Sequence, residues 1–120
     1  MVNLSETVHR GWTALAAGNF DALVADYSED MKLIMPGQTD VLLGAKAFRA
    51  ALDNLSALLP PGFAIENLTH LEGDNEVVSI VEWSSSRVAA SQFAVRFRFS
   101  EGKIFEERWF VDTKQWAAAF

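Results

Sequence analysis

The sequence contains no cysteine, which excludes disulfides, thiolate metal ligands and cysteine nucleophiles together. Only two histidines are present, His9 and His70, and with no third ligand beside either a His/carboxylate metal cluster is not expected. No uninterrupted apolar run approaches the roughly 18–20 residues that a bilayer span needs. The opening stretch MVNLSETVHRGW puts Glu6 and polar residues where a signal peptide carries its apolar segment. A cytoplasmic protein with no membrane segment is expected. Cations are scarce as well: 10 Lys and Arg stand against 16 Asp and Glu, a net charge of −6. Nucleic-acid affinity draws on clustered Lys and Arg, so free DNA or RNA is not an expected ligand. Neither a Gly-rich phosphate cradle nor a Gly-x-Ser-x-Gly nucleophile elbow occurs. No cofactor and no Ser-His-Asp chemistry are therefore expected.

What the chain does have is apolar mass. Half of its 120 residues are apolar, with nine Phe, four Trp and one Tyr, enough for the core of one domain spanning residues 1–120. The periodicity changes once, at Pro60-Pro61-Gly62. Before it, Val8, Trp12, Leu15 and Ala16 fall at helical spacing behind an Asn3/Glu6 capping box. A second short helix, capped by Asn19, carries Phe20, Leu23, Val24 and Tyr27 on one face. Met31–Met35 is a short strand ending at Pro36-Gly37, and the stripe Phe48, Ala51, Leu52, Leu55 and Leu59 predicts a third helix after Gly44. After Pro61 the expected strands are Phe63–Leu71, Glu76–Trp83, Val88–Ser100 and Ile104–Asp112, joined by turns at Gly73-Asp74-Asn75 and Glu101-Gly102. Phe93, Val95, Phe97 and Phe99 alternate with Gln92, Arg96 and Arg98, as in a sheet buried on one side. A last helical turn or two is expected over Thr113–Phe120. This order predicts an α+β fold in which three N-terminal helices cover a curved antiparallel sheet.

Three local patterns carry a resemblance. They are Ala17-Gly18-Asn19-Phe20-Asp21-Ala22-Leu23 followed by Tyr27-Ser28-Glu29-Asp30; Pro36-Gly37 followed by Gly44 and Phe48; and Gly102-Lys103-Ile104 followed by Glu106-Glu107 and Asp112. In this order, and over nearly the whole chain, they resemble the nuclear transport factor 2-like superfamily, which includes ketosteroid isomerase and the SnoaL-like polyketide cyclases. The resemblance implies a cone-shaped sheet whose mouth, closed by helices, forms one apolar pocket, and homodimers formed through the outer sheet face. The isomerase branch uses an Asp before a Pro, a Tyr on the first helix and a protonated Asp on a middle strand. Those places fall here at Met35, near Gly11 and near Gln92, which cannot supply that proton chemistry. The cyclase branch implies an Asp ten residues after the Gly of the Gly-Lys-Ile turn, which is Asp112. Its usual Trp or His falls at Arg108, and the Trp of this chain stands one place later, at Trp109.

Two candidate catalytic roles follow, Asp112 as acid/base and Arg108 or Tyr27 as partner of a developing oxyanion. Asp112 with Gln115 three residues on also reads as a helix cap, and Arg108 as a surface partner of Glu106 or of an acidic residue on a neighbouring strand. In a regular last strand Phe105, Glu107, Trp109 and Val111 share the more apolar face; if that face lines the cone interior, Asp112 and Arg108 point outward, and the sequence leaves this parity open. Trp12, Tyr27, Met35, Trp83, Phe97 and Trp109 are candidates to line a pocket for a small apolar or polycyclic molecule. Glu82 is a minor second carboxylate candidate. Two functions stay open: proton transfer on a carbonyl compound, or a noncatalytic dimeric module whose pocket is packed shut.

Overall fold

The computed structural model describes residues 3–120. Asn3 accepts a hydrogen bond from the Glu6 amide and starts α1 (Leu4–Ala17), which stops at Gly18 in the left-handed conformation, φ 73°. Asn19 caps the short α2 (Phe20–Val24) by accepting from the Ala22 amide. The chain then becomes extended as β1 (Tyr27–Ile34), turns into the short β2 (Val41–Leu43) and forms α3 (Ala45–Leu52). A single 3-10 turn at Leu55–Ala57 leads to β3 (Ala64–Gly73), β4 (Glu76–Ser84), β5 (Ser91–Ser100) and β6 (Lys103–Phe110), followed by α4 (Thr113–Ala119). Among the described residues no helix is long and apolar enough to cross a membrane.

The six strands form one curved, unclosed sheet in the order β2-β1-β6-β5-β4-β3. Hairpin neighbours are antiparallel, but β1 and β6 run parallel, which corrects the expectation of a wholly antiparallel sheet. Parallel partners need a long connection, and more than half of the chain separates these two. Burial alternates along β4, with Val77, Ser79, Val81 and Trp83 facing the helices, and along β5 with Phe93, Val95, Phe97 and Phe99. Val8 and Trp12 of α1, Leu23 of α2 and Phe48 and Leu52 of α3 close on this face.

Four local expectations are revised. Tyr27 does not extend α2 but opens β1, because pairing with Ile104 of β6 holds the chain extended from there. β2 was not anticipated: it is a three-residue edge strand held by pairing to β1. The third helix breaks at Asp53-Asn54, where Asn54 leaves helical geometry at ψ 58°, so Leu55–Leu59 packs as a separate turn. Val88 belongs to a turn closed by its hydrogen bonds with Ser85, and β5 starts only at Ser91.

Candidate functional site

The last hairpin decides what faces the helices. Phe99 pairs with Ile104 and Arg98 with Glu106, so one residue of β6, Phe105, has no opposite number. This bulge puts Ile104 and Glu107, three apart, on the same side. Beyond it the alternation is regular: Glu107 and Trp109 point inward, while Glu106, Arg108 and Phe110 line the outer face.

Arg108 therefore turns away from the helices. Its guanidinium donates to Gln38 Oε1 at 2.7 Å and stands 3.7 Å from Glu106. Asp112 is exposed and caps α4, accepting from the Gln115 amide at 3.1 Å. Of the two readings open for each residue, the geometry supports the cap for Asp112 and, for Arg108, an ion pair on the outer sheet face with a buried Glu106. Glu82 bonds to the Asn67 side chain on an exposed part of the sheet. His70 is half-buried: one ring nitrogen meets His9 at 3.0 Å and the other the buried Ser79 hydroxyl at 2.9 Å.

Five of the six pocket candidates, Trp12, Tyr27, Met35, Phe97 and Trp109, surround one cavity of about 60 Å³ between the sheet and the helices. Leu52, Leu55, Leu58, Leu59 and Pro36 complete its apolar walls, and Trp116 of α4 reaches it from the chain's end. Trp83 is elsewhere, packed against Phe63 and Trp116 with ring centroids 5.8 and 5.3 Å away. A buried water occupies roughly 10–15 Å³ in such a measure, so the space suits a few waters or a small organic molecule.

Of the two carboxyl groups on this wall, Asp26 and Glu107, the second is buried. Glu107 is 6% exposed, and its two oxygens accept from different donors, Oε1 from the Tyr27 hydroxyl and Oε2 from the Trp109 indole N–H at 2.6 Å. Burial raises its pKa above the ordinary carboxylate value, and the two hydrogen bonds pull it part of the way back. Tyr27, 7% exposed, is pushed well above the ordinary phenol value, first by burial and then by the Glu107 charge. It stays a phenol, hence a donor. Trp12 is not available in the same way, because its indole N–H donates to Ser79 Oγ at 3.1 Å.

Glu107 is the residue that sequence reasoning missed as a site. Its signal was present: it is the single carboxylate in the apolar set Phe105, Glu107, Trp109 and Val111. Chemically it can take or give one proton in a medium that penalises its charged form. Among the described residues no group of three or more His, Cys, Asp or Glu side chains is arranged to hold a metal ion.

Comparison with protein families places a match over residues 8–107 with the SnoaL-like domain. The chain belongs to the SnoaL-like family. Solved structures agree on its fold. A protein of unknown function with a cystatin-like fold from Xanthomonas campestris is 19% identical at a TM-score of 0.81, over 98% of this chain and 97% of that one. Bal32a, from a soil-derived mobile gene cassette, is 20% identical at a TM-score of 0.80, over 98% and 95%. A candidate polyketide cyclase from Xanthomonas campestris pv. campestris is 16% identical at 0.79, over 97% and 95%. At these identities the likeness of a SnoaL-like chain to its neighbours speaks for fold alone. No curated protein matches in sequence.

Proposed function

We propose that the cavity binds a small apolar carbonyl compound and that Glu107 moves a proton on it. The observation that carries this reading is a buried carboxyl group with no cation partner in an apolar cavity, with a phenol hydroxyl on one of its oxygens. The Glu107 carboxylate takes a proton from the carbon beside the carbonyl. That C–H bond breaks, an O–H bond forms on Glu107, and the electron pair moves onto the carbonyl oxygen as an enolate. Neutral Glu107 holds the Tyr27 hydroxyl less strongly, and Tyr27 then donates to the new oxyanion. Return of the proton to a different carbon completes an isomerisation. Burial assists the first step, since the charged base is disfavoured and its protonated form is not. In this reading Asp112 and Arg108 hold α4 and the outer face, and the acid/base role anticipated for Asp112 passes to Glu107.

The test is conversion of 3-cyclopentenone to 2-cyclopentenone, followed by absorbance. Wild type should accelerate it, Glu107→Gln should lose about 10²–10⁴-fold of that acceleration, and Asp112→Asn should retain it. A Glu107→Gln protein as active as wild type overturns the assignment. The noncatalytic reading is favoured by one observation, that both Glu107 oxygens already have partners inside a small cavity. Absence of any acceleration by folded wild type decides for it.

The same reading includes a homodimer through the outer sheet face. There Glu106 is buried among Arg96, Arg98 and Arg108 at 3.3, 3.8 and 3.7 Å, and Phe110 is 45% exposed. A mixed polar and apolar patch of this kind suits a self-complementary interface. Sedimentation velocity at micromolar concentration should give twice the monomer mass; a monomer removes this part of the reading.

A further inference from the structure

The charge of the cavity wall points to a second class of ligand. The wall carries two carboxylates, Glu107 and Asp26, and aromatic rings that include Trp12, Phe48 and Trp109. No Lys, Arg or His among the described residues lines it. Asp26 is paired outside the cavity with Arg10, at 3.0 Å, which leaves Glu107 as the one carboxylate without a cation. A carboxylate offers about four lone-pair positions, of which Tyr27 and Trp109 take two. Aromatic faces add attraction for a cation and none for an anion. An anionic ligand would meet the Glu107 charge with no counterion beside it.

The number of N–H groups narrows the class. A primary ammonium brings three donors and would bury those that found no acceptor, each at a cost. A tertiary ammonium brings one N–H, within the two positions that remain on Glu107, and its three alkyl groups lie against the rings and leucines. We propose that the cavity takes a small tertiary amine, bound as its ammonium ion with the N–H donated to Glu107. This rests on the reading that the cavity admits a ligand, not on Glu107 transferring a proton to carbon. A cation seated on the base cannot react there, so such an amine also competes with ketone turnover.

The test uses three probes of similar size at one ionic strength: N-methylpyrrolidine, cyclopentanone and cyclopentanecarboxylate. Binding is read from tryptophan fluorescence and from the Trp109 indole N–H resonance. The amine should bind at least tenfold more tightly than the ketone, and the carboxylate should not bind. Glu107→Gln should bring the amine to the affinity of the ketone. If that variant does not fold, wild type supplies the control: as pH falls, Glu107 takes up a proton while the amine stays charged, and the amine's advantage should disappear. Equal affinity for amine and ketone in wild type overturns the proposal and leaves the cavity reading intact. Binding of neither overturns both. An amine advantage unchanged in folded Glu107→Gln, or flat with pH, removes Glu107 as its partner.

Discussion

Tyr27→Phe isolates one hydrogen bond, because the ring that packs on Phe48 at 5.1 Å is kept and only the hydroxyl on Glu107 is lost. Both partners are buried, at 7% and 6% exposure, so solvent screening takes little from the interaction. A bond to a charged group contributes about 1.5–3 kcal/mol, and one between neutral groups about 0.5–1.5. The loss should therefore depend on the protonation of Glu107. Its folded pKa lies above the unfolded one, so the folded chain holds the proton more tightly, and this group's contribution to stability is present at low pH and declines as pH rises through the folded pKa. Removing the hydroxyl takes away an influence that lowers that pKa, which makes the decline steeper. The variant should lose about 0.5–1.5 kcal/mol at pH 4.5 and about 1.5–3 at pH 8.5. At a urea m-value of about 2 kcal/mol/M, the larger loss moves the midpoint by about 1 M. Urea titrations at both pH values, followed by tryptophan fluorescence, measure it. A loss equal at the two pH values, or below about 0.5 kcal/mol at pH 8.5, refutes the idea that Tyr27 holds a charged Glu107.

Two further substitutions separate scaffold from site. Asp112→Ala should cost about 0.5–2 kcal/mol through loss of the α4 cap, with ketone isomerisation by the folded fraction unchanged; a stable variant without activity would return Asp112 to the chemistry. Glu101 stands at φ 52° beside Gly102 at φ 78° in the two-residue turn between Ser100 and Lys103. Glu101→Asn should raise stability by about 0.5–1 kcal/mol, and a lower thermal midpoint would contradict the left-handed turn.

The fold was readable where a local rule and the tertiary structure agree. The caps at Asn3, Asn19 and Asp112 each accept the amide that their spacing predicts. The alternation in β5 places the four residues Phe93, Val95, Phe97 and Phe99 inward as expected. It was not readable where pairing overrides propensity. Tyr27 sits at helical spacing from Leu23 and still begins a strand, because β6 offers it a parallel edge from the far end of the chain. The short β2 is a strand only through β1, and no three-residue pattern announces that.

The site turned on parity. Strict alternation along β6 groups Ile104 with Glu106, Arg108 and Asp112, and so leaves either the acid/base candidate or Ile104 on the wrong face. The bulge at Phe105 resolves this by shifting the residues before it by one place, so that Ile104 joins Glu107 and Trp109 inside. A bulge has no fixed sequence signature here, so the inward place of Glu107 rested on regular alternation alone. The two neighbouring carboxylates meet opposite solutions: Glu106 is buried outward among three arginines, and Glu107 inward with two neutral donors and no cation. A chain optimised for stability alone would fill the second place with an apolar residue, since a buried charge is disfavoured even when hydrogen-bonded. Retaining a carboxyl there has a physical rationale only if its proton or its charge is used, and the proposals for Glu107 rest on that cost.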